Sequence, residues 1–119
     1  MEKIFEQGLL YDFYGELLTE HQRSIYEDAV YNDMSLGEIA QENGISRQGV
    51  HDLIKRCDRI LADYESKLRL VERFARAKEK VLSIEQLTNM NDASDINGQD
   101  TGERLKQINK LAGELLDEL

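Results

Sequence analysis

The sequence predicts an all-α protein: a helix-turn-helix bundle that continues into a long amphipathic helix and ends in a C-terminal helix. Three observations carry that reading. The 119 residues contain no proline. They show few β-branched runs and no period-two alternation. Apolar residues recur instead at three- and four-residue steps, the spacing that keeps them on one face of a helix.

The first helix is expected over residues 3–18, with Ile4, Phe5, Leu9, Phe13, Leu17 and Leu18 on one face. Thr19 breaks the pattern and Gln22 follows three residues later. That is the capping-box spacing, so a second helix starts there. It carries Ile25, Tyr26, Ala29 and Val30, and Asn32-Asp33 ends it. Ser35 with Glu38 repeats the capping logic for a short third helix, residues 36–43, which buries Leu36, Ile39 and Ala40. Gly44 closes it where a left-handed backbone is needed. Ile45 tucks into the corner, and Ser46 caps a fourth helix.

No Gly or Pro interrupts the chain from Val50 to Leu87, and apolar residues recur from Val50 to Phe74. One helix of about 30–35 residues is expected, roughly 50 Å long at 1.5 Å per residue. So small a domain cannot cover it, so a second copy is expected against Leu61, Tyr64, Leu68 and Val71. Residues 88–99 (TNMNDASDINGQ) read as a linker. Asp100 with Glu103 starts the terminal helix, whose apolar residues are Leu105, Ile108, Leu111, Ala112, Leu115, Leu116 and Leu119. The organisation expected is therefore a bundle over 1–60, a helical extension over 61–87, a linker over 88–99 and a terminal helix over 100–119.

Composition narrows the function. Fifteen Lys and Arg stand against 24 Asp and Glu, a formal charge of -9. The acid is concentrated at the ends: residues 1–34 hold 2 basic and 8 acidic residues, and residues 83–119 hold 3 and 8. The middle is neutral to basic, with 4 and 4 over residues 35–60 and 6 and 4 over residues 61–82. Indiscriminate nucleic-acid binding is therefore disfavoured, while a local anionic partner would dock centrally. No apolar run approaches the ~20 residues of a membrane span. The N-terminus does not read as a secretory signal. A lone cysteine, Cys57, cannot close an internal disulfide, and the cytoplasm is the expected compartment.

The segment from Ser35 to Arg56, SLGEIAQENGISRQGVHDLIKR, fits a helix-turn-helix. Ala40 lets the second helix cross closely, Gly44 makes the turn, and Val50 and Ile54 pack inward. The second helix then offers Ser46, Arg47, Gln48, His51 and Asp52 outward, with Lys55, Arg56 and Arg59 further along to meet phosphates. Arg reads guanine edges and Gln reads adenine edges in bidentate fashion. Asp52 repels phosphate, and Gly49 costs a helix interior roughly 1 kcal/mol against Ala.

The same residues resemble the YlxM family of small bacterial helix-turn-helix proteins. The match runs from about Leu10 to Leu68. It includes Tyr11-Asp12-Phe13-Tyr14, Leu17-Leu18-Thr19, Ser35-Leu36-Gly37-Glu38-Ile39-Ala40, Ser46-Arg47-Gln48 and Ile54-Lys55-Arg56. Gly49 and His51 depart from it, where Ala and Tyr are more usual. The resemblance implies a fold related to region 4 of RNA polymerase sigma factors and a cytoplasmic dimer. It also implies a role in the signal recognition particle pathway, through contact with that particle's RNA or GTPase.

No catalytic, metal or cofactor site is expected. His51 and Cys57 are six apart on one helix, about 240° around its axis, and do not meet. Cys57 lies on the apolar stripe and reads as a small core residue; His21 reads as solvated. Read as a calcium loop with Gly98 sixth, the linker supplies Asp95 and Asn97. Ala93 then falls first and Arg104 last, where a carboxylate and a bidentate Glu are required. The expectation is a non-enzymatic adaptor of the signal recognition particle. The alternatives are a sequence-specific DNA-binding regulator and a purely protein-binding module. The partners expected are a second copy, the particle's protein or RNA, or DNA, with no membrane and no small-molecule substrate.

Overall fold

The structure, a computed structural model, describes residues 2–89 and 99–118. Every element among them is helical: α1 Lys3–Tyr14, a 3₁₀ turn Gly15–Leu17, α2 Glu20–Val30, α3 Leu36–Asn43, α4 Arg47–Leu68, α5 Leu70–Thr88 and α6 Gln99–Glu118. The chain divides into two units, Met1–Val71 and Glu72–Leu119.

In the first unit the helix starts are set locally. Thr19 and Gln22 form a reciprocal capping box at α2, and Ser35 and Glu38 form another at α3. The cap holds the Glu38 carboxyl below its usual range, because the Ser35 backbone N–H and then its hydroxyl favour the charged form. Gly44 ends α3 at φ 65° and ψ 30°, a left-handed geometry that an L-side chain adopts only with strain. Ile45 donates its N–H to the Ala40 carbonyl at 3.2 Å but stays 37% exposed, so it covers the corner only in part.

Two clusters make the core. Tyr14, Leu18, Tyr26, Cys57 and Leu61 form one; Ile25, Ile39, Ala40 and Val50 form the other. Leu53 and Ile54 of α4 touch both and tie them together. The first helix is shorter than its pattern suggests, and the expected face is buried only in part: Leu18 lies in the core and Phe13 packs against it. Tyr14 is fully buried and Leu10 and Tyr11 pack beside it, whereas Ile4, Phe5 and Leu17 are exposed. Tyr14 and Tyr26 take the buried positions, and the tyrosine hydroxyls find carboxylates. Tyr14 donates to Glu65, Tyr26 to Asp58, Tyr31 to Asp12 and Tyr11 to Glu27.

The single long helix expected from Val50 to Leu87 is broken. Arg69 adopts φ 55° and ψ 33°, ending α4 at Leu68. The break is held by tertiary contacts. Leu70 donates its N–H to the Tyr14 hydroxyl at 3.0 Å, and Val71 donates to Glu65 Oε1 at 3.1 Å. The Tyr14 hydroxyl in turn donates to that same Glu65 oxygen at 2.5 Å. These are the first amides of α5, which a helix leaves without internal acceptors. The Tyr14 hydroxyl of α1 and the Glu65 carboxylate in the last turn of α4 thus form the cap, and only the tyrosine comes from a distant part of the chain.

The second unit is an antiparallel helical hairpin. Lys80 lies 3.7 Å from Glu114 and also pairs with Glu118; Arg73 donates to the Glu118 carbonyl, and Arg104 to that of Asn89. Ala77, Lys80, Ile84 and Leu87 of α5 are half-buried, as are Thr101, Arg104, Ile108, Leu111, Ala112, Glu114, Leu115 and Glu118 of α6. No residue of α5 is fully buried. The terminal helix is therefore folded on its own chain. Residues 90–98, most of the linker and the whole Asp95–Asn97–Gly98 calcium test, lie outside the described residues. So do the Asp100 side chain, expected as a cap, and Leu119. No described helix is long and apolar enough to cross a membrane.

Candidate nucleic-acid interface

The start of α4 is built to stand clear of the core. Ser46 accepts the Gly49 N–H on its hydroxyl at 2.9 Å, capping the helix. A Cβ at position 49 would stand 3.2 Å from that hydroxyl, yet Gln22 and Glu38 hold the same position under the Thr19 and Ser35 caps, so the cap does not require glycine. Val50 then buries completely and Leu53 and Ile54 turn inward, which leaves Arg47, Gln48, His51 and Asp52 exposed. The helix-turn-helix therefore presents the expected side chains, for the expected reason: the inward residues are three and four apart.

The polar groups there form a small organised set. Gln48 donates its Nε2 to Asp52 Oδ1 at 2.9 Å, and His51 Nδ1 lies 3.6 Å from the same oxygen. Arg47 lies along the first turn of α3, its Nε 3.8 Å from where a Cβ on Gly37 would stand. Arg47, Gln48, His51 and Leu36 line a shallow depression of about 280 Å³. Asp52 thus does more than oppose an anion. It holds the Gln48 amide with its carbonyl oxygen still free to accept.

Further along α4, Lys55 and Arg59 share the face begun by Gln48 and His51. They line a groove of about 460 Å³ against α1, with Lys3 on the opposite wall. The Lys3 ammonium crowds Lys55 closely enough to lower the Lys55 pKa, first through direct contact and then through charge repulsion. Asp58 lies in the same groove but is engaged inward, accepting from Gln7 at 2.9 Å and from Tyr26 at 2.6 Å. Glu6 also lines the groove, so Lys55, Arg59 and Lys3 form a cationic track from α4 onto α1 with a carboxylate on its α1 wall. Lys3 was not legible in the sequence, because it stands 52 positions from Lys55 and belongs to an acidic segment. Arg56 is exposed on the neighbouring face of α4.

The residues expected to hold a second copy are placed otherwise. Leu61 is fully buried in its own core. Tyr64 stacks on Tyr14 with ring centroids 6.0 Å apart, and Val71 packs against the same cluster. Leu68, 47% exposed, is the one of the four that faces outward. The reason is α1, which packs along α4 and covers the stripe.

Cys57 is buried and free, and burial pushes its thiol up to about 11. It is a core residue, as its place on the apolar stripe suggests. His21 is exposed on α2. No cluster of three or more His, Cys, Asp or Glu among the described residues could hold a metal ion.

Comparison with known proteins agrees with this architecture. Residues 1–109 match a family described as "Putative helix-turn-helix protein, YlxM / p13 like". A UPF0122 protein of Acetivibrio thermocellus is 41% identical over 117 residues, 98% of this chain and 99% of its own length. One from Clostridium botulinum is 45% identical over 96 residues, covering 80% of this chain and 88% of that one. One from Desulforamulus reducens is 36% identical over 113 residues, covering 95% and 90%.

Proposed function

The chain belongs to the YlxM/p13-like family of helix-turn-helix proteins, and from that premise we propose that it is a non-enzymatic, cytoplasmic adaptor that contacts the RNA of the signal recognition particle. The observation that carries nucleic-acid contact is the exposed start of α4, continued by the Lys55, Arg59 and Lys3 track. The particle as target is what the family resemblance implies. Arg47 and Gln48 supply the base-edge chemistry. The cationic track supplies phosphate contacts, which position a nucleic acid without reading it. The acidic remainder of the chain repels other polyanions, so binding is local and selective.

The test is co-sedimentation with the purified particle RNA and its GTPase, together with the GTPase rate. Binding that weakens steeply between 50 and 200 mM salt, and falls in Arg47→Ala and Gln48→Ala, is the expected outcome. Absence of binding and of any rate change at low salt sinks the proposal. Recovery of one palindromic site from genomic DNA fragments would make the chain a DNA-binding regulator instead. Binding to the GTPase that survives replacement of Arg47, Lys55 and Arg56 would make it a protein-binding module.

A further inference from the structure

The first helix borders two grooves on opposite sides. Lys3, Gln7 and Leu10 turn toward α4. At about 100° per residue, Phe5, Leu9 and Asp12 stand about 160° around the axis from them. That far side meets the end of α2 in a second groove of about 310 Å³, lined by Ile4, Phe5, Leu9, Asp12, Val30 and Tyr31. Its apolar residues are open: Ile4 is 59%, Phe5 67% and Tyr31 49% accessible. One wall is already fixed. The Tyr31 hydroxyl sits between the Gly8 carbonyl at 2.9 Å and the Asp12 carboxylate at 2.6 Å. Its ring meets Tyr11 edge-on, centroids 5.8 Å apart. A binder is therefore spared the cost of ordering that wall.

The charge around this groove has one sign. Asp12 lies in it, Glu2 and Glu16 stand at the two ends of α1, and Glu27, Asp28 and Asp33 come from the end of α2 and the turn after it. Residues 1–34 hold only two cations. Lys3 faces the α4 groove, and Arg23 lies further back along α2, close enough for its charge to act on the Tyr11 hydroxyl. None of the described residues that line the groove is a cation.

An apolar groove inside an acidic rim selects its occupant. Nucleic acid and an anionic lipid surface are repelled. The same face of a second copy brings like charge, and so does the terminal segment, where residues 83–119 hold 3 basic and 8 acidic residues. A channel between two helices takes a third helix, read through apolar anchors at i, i+3, i+4 and i+7. Exposed aromatic residues such as Phe5 and Tyr31 are the usual centres of such contacts.

We propose that the groove between α1 and α2 receives a basic amphipathic helix of a different protein, its apolar stripe on Ile4, Phe5 and Leu9 and its Lys or Arg residues against the surrounding carboxylates. The rim charges then steer the encounter and fix the register, and the apolar anchors hold the complex. With a cationic groove on its other side, α1 joins a basic protein to an anionic partner. This inference rests on α1 and α2 alone and stands whether or not α4 binds nucleic acid.

The test uses the full chain and a fluorescent peptide of about 18 residues, with Leu at i, i+3, i+4 and i+7 and Lys elsewhere. Anisotropy shows saturable one-to-one binding, and amide NMR shifts move at Ile4, Phe5, Leu9 and Tyr31 but not around His51. Phe5→Ser weakens binding roughly tenfold, as loss of a central aromatic anchor does. Glu16→Lys weakens it severalfold at low salt and less at high salt. Both positions are exposed, so circular dichroism is unchanged. Absence of saturable binding at low salt overturns the proposal, as does wild-type affinity in Phe5→Ser. Equal binding of a peptide with the same composition but its leucines dispersed reduces the contact to charge and overturns it. Equal binding of a peptide with Glu in place of Lys overturns it too. Sedimentation of the chain alone as a dimer that Phe5→Ser dissociates gives the face to a second copy and overturns it as well.

Discussion

Tyr14 holds the break between α4 and α5, and Tyr14→Phe isolates that role. The side chain is 1% exposed, and the substitution keeps the ring, so no cavity opens. Only the hydroxyl is lost, and with it two bonds: the 2.5 Å donation to Glu65 and the 3.0 Å acceptance from the Leu70 N–H. A hydrogen bond to a charged acceptor contributes about 1.5–3 kcal/mol, and a part-buried N–H left without an acceptor costs about 1–3 kcal/mol. The losses overlap, because Glu65 still accepts from Val71. The expected destabilisation is about 2–3 kcal/mol, a large share of the 5–15 kcal/mol that ordinary domains possess. Urea unfolding followed at 222 nm gives the value, with Glu65→Gln completing a double-mutant cycle whose coupling exceeds about 1 kcal/mol. Hydrogen exchange adds a local readout: the Leu70 amide loses protection before the amides around Val50. A Tyr14→Phe protein within about 0.5 kcal/mol of wild type, with an unchanged Leu70 exchange rate, would refute the tyrosine as the cap of α5.

Gly44→Ala forces a Cβ into the φ 65° turn and should cost about 1 kcal/mol, read as a lower melting temperature. Arg69→Val puts a β-branched residue at φ 55° and should cost about 1–2 kcal/mol, whereas Arg69→Asn, which tolerates that region, should be close to neutral. Equal stabilities would show that the left-handed break is not populated. Burial raises Cys57 to about 11 and Tyr31 to about 12, the latter helped by its bond to Asp12. The folded chain thus keeps protons that the unfolded chain gives up, and deprotonation favours unfolding. Stability should be full below pH 9 and fall as pH rises through 11, and a urea midpoint unchanged between pH 8 and pH 11 would contradict it. Native Cys57 should react with iodoacetamide only at the rate at which the core opens.

Local chemistry made much of the fold legible. Thr19 with Gln22 and Ser35 with Glu38 stand three residues apart, and each pair satisfies orphan amides of the helix it starts, so those starts could be read directly. Gly44 marked the turn in the same way. These features also determined the helix-turn-helix, and with it the exposure of Arg47, Gln48 and His51. The face of α1 was read only in part: Phe13 and Leu18 do pack inward, but period alone weighs Ile4 and Phe5 above Tyr14, whereas burial of a tyrosine depends on a carboxylate more than 50 residues away. Lys3 escaped the reading of the cationic track for the same reason: spacing along one helix says nothing about which helix lies beside it.

The break at Arg69 shows most clearly where the division falls. Nothing within a few residues of Arg69 ends a helix, and the apolar repeat runs straight through it. The Tyr14 hydroxyl and the Glu65 carboxylate meet there only after α1 has packed on α4, and together they supply the acceptors that start α5. That contact also decided the fate of Leu61, Tyr64 and Val71, which the repeat offered as a dimer surface and the core took instead. Sequence fixes what each amide and apolar residue needs within a turn of helix. Which distant group meets that need is decided by packing, because the free energy of such a contact exists only once both elements are in place.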